Sequence, residues 1–327
     1  MKKIISVVIP CWKEEASVTL MYQRILKVFQ ENLVNYDYEI IFVDDCSPDH
    51  TWQEIEKVCQ MDHKVKGVLN AKNFGFTRNV FSTLLYGSGD VTFMLFGDLQ
   101  DPPELLPEFV QKWEEGYKVV LGQKNSSSES KIWYFLRTVY YKLIGKLAEN
   151  EQVEHFNGFG LYDRSFIEAI KKLEDPVPYL KGIVAEFGMK PYVLNYHQAE
   201  SNRGSSGFNF FKYYDIAMIG ITSYTKTLMR AATFAGAILG LVGVAIAVFV
   251  FINKLVHWES YPIGTASIII GIFFMGAIQL FFIGILGEYI LTINSRVLKR
   301  PLVVIEKKLN FDQPEAAKEN RNAKSDD

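Results

Sequence analysis

Val91-Thr-Phe-Met-Leu-Phe-Gly-Asp98-Leu-Gln-Asp101-Pro-Pro-Glu104 is the stretch that decides the reading of this chain. Its first six residues form an almost unbroken apolar run, the pattern of a strand covered on both faces of a parallel sheet. Ligands bind at the carboxyl ends of such strands. The first charged group there is Asp98, followed by Asp101 and two prolines. Carboxylates at that point suit a hard cation and, through it, a diphosphate. The same residues also fit a plain turn and helix start, with Asp101 as cap and the prolines in the first helical turn.

Working outward, strands and helices alternate. Strands are expected at Ile4–Ile9, Glu39–Val43, Val65–Leu69, Val91–Phe96 and Lys118–Leu121. Helices are expected at Glu15–Asn32, Thr51–Met61 (capped near Asp49), Arg78–Tyr86 and Pro102–Glu115. This rhythm implies an α/β fold with a parallel sheet and helices on both faces. The polar clusters Trp12-Lys-Glu14, Asp44-Asp45, Lys72-Asn73 and Asp98 all fall at strand ends, where one crevice can collect them. Gly87-Ser-Gly89-Asp90 lacks the third glycine of a dinucleotide fingerprint, and no Walker A string occurs. A nucleotide in this crevice would be held through carboxylates and a metal.

Composition separates two regions. Of the 327 residues, 22% are charged and 49% hydrophobic, but the last third contains two long uncharged stretches. The net charge of -2 gives no footing for nucleic acid. Cys11, Cys46 and Cys59 show no paired spacing, which favours a reducing compartment and argues against zinc. The apolar run after Met1-Lys-Lys stops at Pro10, too short for a secretory signal.

Lys131–Ala148 places Trp133, Leu136, Tyr140, Leu143 and Leu147 at helical spacing among basic residues, which suits either a membrane surface or an ordinary surface helix. Asn209–Met229 is aromatic and apolar and reads as an interfacial helix. Ala231–Asn253 and Ser260–Gly287 carry no charge, and each exceeds the ~20 residues that span a bilayer. Lys226 and Arg230 precede the first, and Arg296, Lys299 and Arg300 follow the second, which puts both chain ends in the cytoplasm. The expected organisation is a cytoplasmic domain over residues 1–208, an interfacial helix over 209–230, membrane helices over 231–253 and 263–290 joined by an external loop at 254–262, and a tail at 291–327 that is disordered at its end.

Four strings carry a family resemblance: Val7-Val-Ile-Pro10-Cys-Trp-Lys-Glu14-Glu15, Ile41-Phe-Val-Asp44-Asp45-Cys-Ser47-Pro-Asp49, Asp98-Leu-Gln-Asp-Pro-Pro-Glu104 and Ile285-Leu-Gly-Glu288-Tyr289. In this order, and followed by two C-terminal spans, the chain resembles the family 2 glycosyltransferases of the polyprenyl-phosphate hexosyltransferase type. The resemblance implies a GT-A fold, a Rossmann-like and mostly parallel sheet. It implies a nucleotide-sugar pocket drawn from Pro10, Trp12, Glu14, Asp44, Asp45, Lys72, Asn73 and Asp98. Asp98, aided by Gln100, would hold Mg²⁺ or Mn²⁺. Lys124 stands where relatives place a phosphate-binding Arg, supplying charge without the bidentate fork. Arg203 and Ser206 would hold the acceptor phosphate. Relatives commonly have Asp-x-Asp where this chain has Phe96-Gly97-Asp98, and Gly-Asp-Phe-Arg where it has Asn157-Gly158-Phe159-Gly160.

The implied activity is inverting transfer of a hexose, glucose or N-acetylglucosamine, from a UDP-sugar to polyprenyl phosphate at the cytoplasmic leaflet of the cell membrane. The product would serve surface glycan modification, and a homo-oligomer is left open. Two other readings stand beside it. A processive polysaccharide synthase lacks support, because Gln-x-x-Arg-Trp is absent. An inactive membrane scaffold or flippase partner is motivated by the missing Asp and Arg.

Overall fold

The computed structural model describes residues 2–124, residues 156–197 other than 174, 177 and 188, residues 265–298 and 300–311, and scattered positions between 218 and 256. The elements in order are β1 (Ile4–Cys11), α1 (Val18–Glu31), β2 (Asp37–Asp44), α2 (Thr51–Met61), β3 (Val65–Asn70), α3 (Phe76–Leu85) and β4 (Val91–Met94). A 3₁₀ turn (Pro103–Leu105) then leads into α4 (Leu106–Glu114). They continue with β5 (Val119–Lys124), β6 (Gly160–Asp163), α5 (Arg164–Lys171), α6 (Leu180–Glu186), β7 (Tyr192–Tyr196), α7 (Thr265–Val297) and β8 (Ile305–Leu309).

The chain divides into two compact units. The first comprises Met1–Ser130, Gln152–Gly207 and Lys299–Asp327. It is built on an eight-stranded sheet in the order β7-β5-β6-β4-β1-β2-β3-β8. β4, β1, β2 and β3 run parallel to one another, as the βαβ rhythm requires. β1 lies in the middle of this set, and Ile5, Val7, Val8 and Ile9 are fully buried, which is why it reads as one apolar run. β6 runs antiparallel between β4 and β5, β7 pairs parallel with β5, and β8 runs antiparallel to β3.

Several expectations shift. β4 is shorter than expected: its ladder ends at Met94, although Leu95 N still donates to Val8 O at 3.0 Å. Asp101 is not a helix cap, for the 3₁₀ turn and α4 begin without any side-chain cap. Asp49 does serve α2, accepting from Thr51 N (3.2 Å) and Thr51 Oγ1 (2.6 Å). The expected tail at 291–327 contains a strand of the sheet. Asn310 ties its end to the domain by donating to Cys59 O and Val65 O, both at 2.7 Å. Five residues, three of them charged, give little apolar signal, yet exposed charge is what an edge strand tolerates.

The second unit comprises Lys131–Glu151 and Phe208–Leu298. The expected amphipathic helix at Lys131–Ala148 lies outside the described residues, as does nearly all of Asn209–Met229. Among the described residues one helix, α7, is long and apolar enough to cross a membrane, over Ile278–Val297. Its 33 residues extend about 50 Å, and Ile268, Ile272, Leu280, Phe281, Ile290 and Leu291 are all more than half exposed. The other expected span is described only at scattered positions. Of these, Phe234, Ile238, Leu241, Phe249 and Ile252 are helical and also more than half exposed, and Val256, in the stretch expected as an external loop, is helical too.

The close approach of β5 and β6 depends on a glycine. A Cβ at Gly160 would stand 2.6 Å from Val120 O, a backbone atom that cannot move aside. Gly160→Ala is therefore expected to destabilise the domain by about 1–3 kcal/mol. The thermal midpoint of the detergent-purified protein should fall by several degrees; an unchanged midpoint would show that the two strands can separate without cost.

Candidate active site

The carboxyl ends of β1, β2, β3 and β4 lie side by side, and the residues that follow them are tied together. The register sets Pro10 opposite Val43 and Cys11 opposite Asp44. Asp45 N donates to Cys11 O at 3.1 Å, Lys13 N to Ser47 Oγ at 2.9 Å, and Glu14 N to Thr51 Oγ1 at 2.7 Å. Gly97 sits against the β1 loop so closely that a Cβ there would lie 3.1 Å from Glu14 Cγ and 3.4 Å from Cys11 Sγ. Lys13, Cys46 and Leu99 follow β1, β2 and β4 with φ of 61°, 59° and 60°. Left-handed backbone at non-glycine residues is uncommon. Three such residues at neighbouring strand ends mark a crevice whose shape is held against local preference.

The two adjacent aspartates of β2 have different work. Asp45 is buried and fully engaged: Oδ1 accepts from Asn70 Nδ2 (2.9 Å) and Phe74 N (3.0 Å), and Oδ2 accepts from Gly75 N (2.9 Å). It organises the β3–α3 loop, in which Gly75 adopts φ +90°. Asp44 is fully buried as well, but only Oδ1 is used, by Ser47 N (3.1 Å) and Ser47 Oγ (2.5 Å). Among the described residues Asp44 Oδ2 is buried without a hydrogen-bond partner, so it can still accept from a donor that arrives there. Burial pushes the Asp44 carboxyl up to about 6, and the charges of Asp49 and Asp45 add to the rise, while the Ser47 hydrogen bonds oppose it.

Around these sit the other expected residues. Pro10 is buried within β1, and Trp12 is 39% exposed with Lys13 Nζ 5.9 Å from its ring centroid. Glu14 is buried and accepts from Ser17 Oγ at 2.8 Å. Lys72 and Asn73 are exposed in the β3–α3 loop, with Lys72 Nζ 5.2 Å from the Phe74 ring centroid. Asp98 and Gln100 are half-buried, and Gln100 N donates to Asp98 Oδ1 at 3.1 Å. Lys124 ends β5, in register with Tyr196 of β7. Arg203 and Ser206 lie outside the described residues.

A buried cluster behind Asp98 escapes sequence reading. Asp101 is 1% exposed and accepts from the Tyr196 hydroxyl and the Asn157 side chain, with Asp98 and Lys124 in electrostatic reach. Burial raises the Asp101 carboxyl to about 6. Nothing in one sequence links Asp101 to Tyr196, which lies 95 residues away. Phe96 packs in the same neighbourhood, stacked on Phe76 with ring centroids 5.7 Å apart. A Cβ on Gly158 would lie 3.5 Å from Phe96 Cζ. Two of the positions at which the chain departs from the family strings, Phe96 and Gly158, thus meet in space, an aromatic ring filling the room beside a glycine.

Among the described residues no group of three or more His, Cys, Asp or Glu side chains could hold a metal by itself. The donor set does fit a hard cation that shares its shell with a diphosphate. Mg²⁺ typically takes one or two carboxylates plus substrate phosphates and water, and Asp98 with the Gln100 amide supplies oxygen donors of that kind. Asp101 is already committed to Tyr196 and Asn157.

The model of the family described as Glycosyl transferase family 2 matches residues 6–171. A bactoprenol glucosyl transferase derived from prophage SfII of Shigella flexneri is 33% identical over 304 residues, 93% of this chain and 97% of that protein. An uncharacterized glycosyltransferase of Synechocystis (sll0501) is 31% identical over 302 residues, 92% of this chain and 94% of its own. Among solved structures, glucosyl-3-phosphoglycerate synthase of Mycobacterium tuberculosis in complex with UDP is 18% identical with a TM-score of 0.46, covering 67% of this chain and 78% of that one.

Asp44 allows a test of the site through stability. Its folded pKa lies above its unfolded value, so folding favours the protonated form. That contribution is complete below about pH 4 and is lost as pH rises through about 6, with a ceiling of about 3 kcal/mol. The thermal midpoint of the ligand-free protein should therefore fall between pH 5 and 7.5, and Asp44→Asn should flatten that slope. An identical slope in the variant would show that Asp44 is not held in this state.

Proposed function

The chain belongs to glycosyl transferase family 2, and from that membership we propose that it is a membrane-bound enzyme that moves a hexose, glucose by preference, from a UDP-sugar to a polyprenyl phosphate at the cytoplasmic leaflet, with inversion at the anomeric carbon. The observation that carries this reading is the extent of the match. Relatives named as bactoprenol glucosyl transferases align with 92–93% of the chain, so the likeness includes its apolar C-terminal third.

The chemistry follows from the crevice. Asp44 Oδ2 is suited to accept a hydrogen bond from the nucleotide base or ribose, with Pro10, Trp12 and Glu14 bordering it and Lys72 and Asn73 on the neighbouring loop. Asp98 and Gln100 would hold Mg²⁺ or Mn²⁺ on the diphosphate, and such a cation, when bound, neutralises charge on the leaving group as a Lewis acid. Lys124 adds positive charge to the same side. The cluster of Asp101, Tyr196 and Asn157 anchors the acidic turn from behind, so Asp98 need not be ordered by the substrate. The acceptor phosphate, with a second pKa near ~6, is already an oxyanion at neutral pH. Its oxygen attacks the anomeric carbon, the bond from that carbon to the diphosphate breaks, and the nucleoside diphosphate departs with the electron pair. No proton has to be removed from the nucleophile, so no general base is required. Arg203 and Ser206 remain the candidates to hold the acceptor phosphate.

The sheet itself supports a two-span topology. β1–β7 precede the second unit's main segment, Phe208–Leu298, and β8 follows it, yet all eight strands share one sheet. This favours both ends of that segment lying on one side of the membrane, with an even number of crossings. If α7 crosses, a second crossing is needed, and the uncharged Ala231–Asn253 is the stretch long enough to make it. Arg296, Lys299 and Arg300 after α7 favour a cytoplasmic domain.

Two measurements test this. Full-length protein given undecaprenyl phosphate and a panel of nucleotide sugars should form a hexosyl phospholipid seen by mass spectrometry, most rapidly with UDP-glucose. Asp98→Asn should lower kcat/KM by about 100-fold or more. Absence of product with every donor would sink the proposal. For topology, Glu259→Cys should react from outside intact cells with a membrane-impermeant maleimide, whereas Cys46 should not; the reverse pattern would overturn the orientation.

A further inference from the structure

β8 is more than a covering for the sheet edge, because of where its first residues lie. Val304 O accepts from Ala71 N at 2.9 Å, and Ile305 pairs with Asn70 across a register shift in β3. Ala71 opens the loop that carries Lys72 and Asn73 and that Asp45 gathers through Phe74 N and Gly75 N. That loop is thus held from two sides, by the Asp45 carboxylate from within the sheet and by the incoming C-terminal strand at its edge. Glu306 lies close enough to the β2 end that its charge acts on Cys46, next to Asp44 and Asp45.

The far end of β8 is fastened independently. Asn310, with φ 58°, makes its two hydrogen bonds to Cys59 O and Val65 O. Phe311 packs edge-on against Tyr86 at 6.0 Å between centroids, and Lys66 Nζ and Lys308 Nζ lie 5.3 and 5.2 Å from its ring centroid. An edge strand of five residues is marginal by itself, so this fastening decides whether it stays docked. Only Leu298–Val304 separates β8 from α7.

We propose that the C-terminal strand is a positioning element of the donor site: docked β8, anchored by Asn310 and Phe311, orders the Ala71–Gly75 loop for the nucleotide sugar. This rests on the reading that the loop belongs to the donor site. In physical terms, undocking β8 lowers the fraction of molecules whose loop is competent to bind, and the apparent donor affinity falls by that fraction. The step that follows binding is untouched, because Asp98 and Asp101 lie on the turn after β4 and Lys124 at the end of β5.

The test uses full-length protein in lipid nanodiscs carrying Asn310→Ala and Phe311→Ala together, both outside the loop and the catalytic crevice. The expected result is faster amide exchange in residues 70–76 but not in β1 or β4, and a UDP-glucose KM raised about three- to tenfold. kcat and the acceptor KM should stay within about twofold. A second variant guards against simple misfolding. Adding Leu69→Cys and Lys307→Cys, a directly opposed pair at a spacing that a disulfide tolerates, should restore the donor KM on oxidation and lose it again on reduction. Exchange at 70–76 unchanged in the double variant would overturn the coupling, as would kcat and KM failing together with exchange raised throughout the sheet. Exchange raised at 70–76 with the donor KM unchanged would leave the coupling standing and would overturn the placement of the loop in the donor site.

Discussion

The Asp45 carboxylate is the interaction on which the crevice depends. It sits at the end of β2, wholly inside the protein, and collects three donors from the end of β3 and the loop that follows. A buried carboxylate is tolerated when its lone pairs are filled in this way, and removing one partner of such a set leaves the rest stranded. With Asp45 so occupied, its neighbour Asp44 is free to face outward chemistry while remaining just as buried. Adjacent residues at the end of one strand thus divide the labour, one holding the loop and the other with one buried oxygen that no described residue engages.

A related division appears at the end of β4. Asp98 and Asp101 are three residues apart, and both looked able to meet a cation. Burial decides between them. Asp98 is half-exposed on a turn with a left-handed residue behind it, whereas Asp101 is sealed under Tyr196 and Asn157. Asp44 and Asp101 are both carboxyls raised toward neutrality by burial, so the ligand-free protein carries a standing electrostatic cost at its site. For Asp101 that cost is offset by its hydrogen bonds to Tyr196 and Asn157.

Phe96 and Gly158 give the departures from the family strings a physical sense. Where a second carboxylate would be expected, a phenyl ring occupies the space beside a glycine of φ +118°, stacked on the half-exposed Phe76. Gly160 likewise has no room for a side chain against Val120.

Much was legible from residues alone. The apolar runs of β1–β4, the helix Thr51–Met61 and the crowding of polar groups at strand ends follow from periodicity, because burial on both faces of a parallel sheet leaves so strong a trace. Asp44 and Asp98 could be singled out for the same reason, as the first charges after such runs. The short strands β7 and β8 left little trace, since half-exposed or charged edge positions carry no apolar period, and β6, though buried, is only four residues long. Pairings over long separations, such as Tyr196 with Asp101 or Val304 with Ala71, leave none, because a hydrogen bond between distant residues imposes no local pattern. The sequence by itself determined the alternating architecture, the family and the line of carboxylates along one edge, all consequences of local spacing. Only the tertiary structure decided which carboxylate is consumed by the fold, which one keeps an unpaired oxygen, and that the last strand returns to the sheet beside the first unit's own loops, because burial and partnership are set by what the rest of the chain brings near.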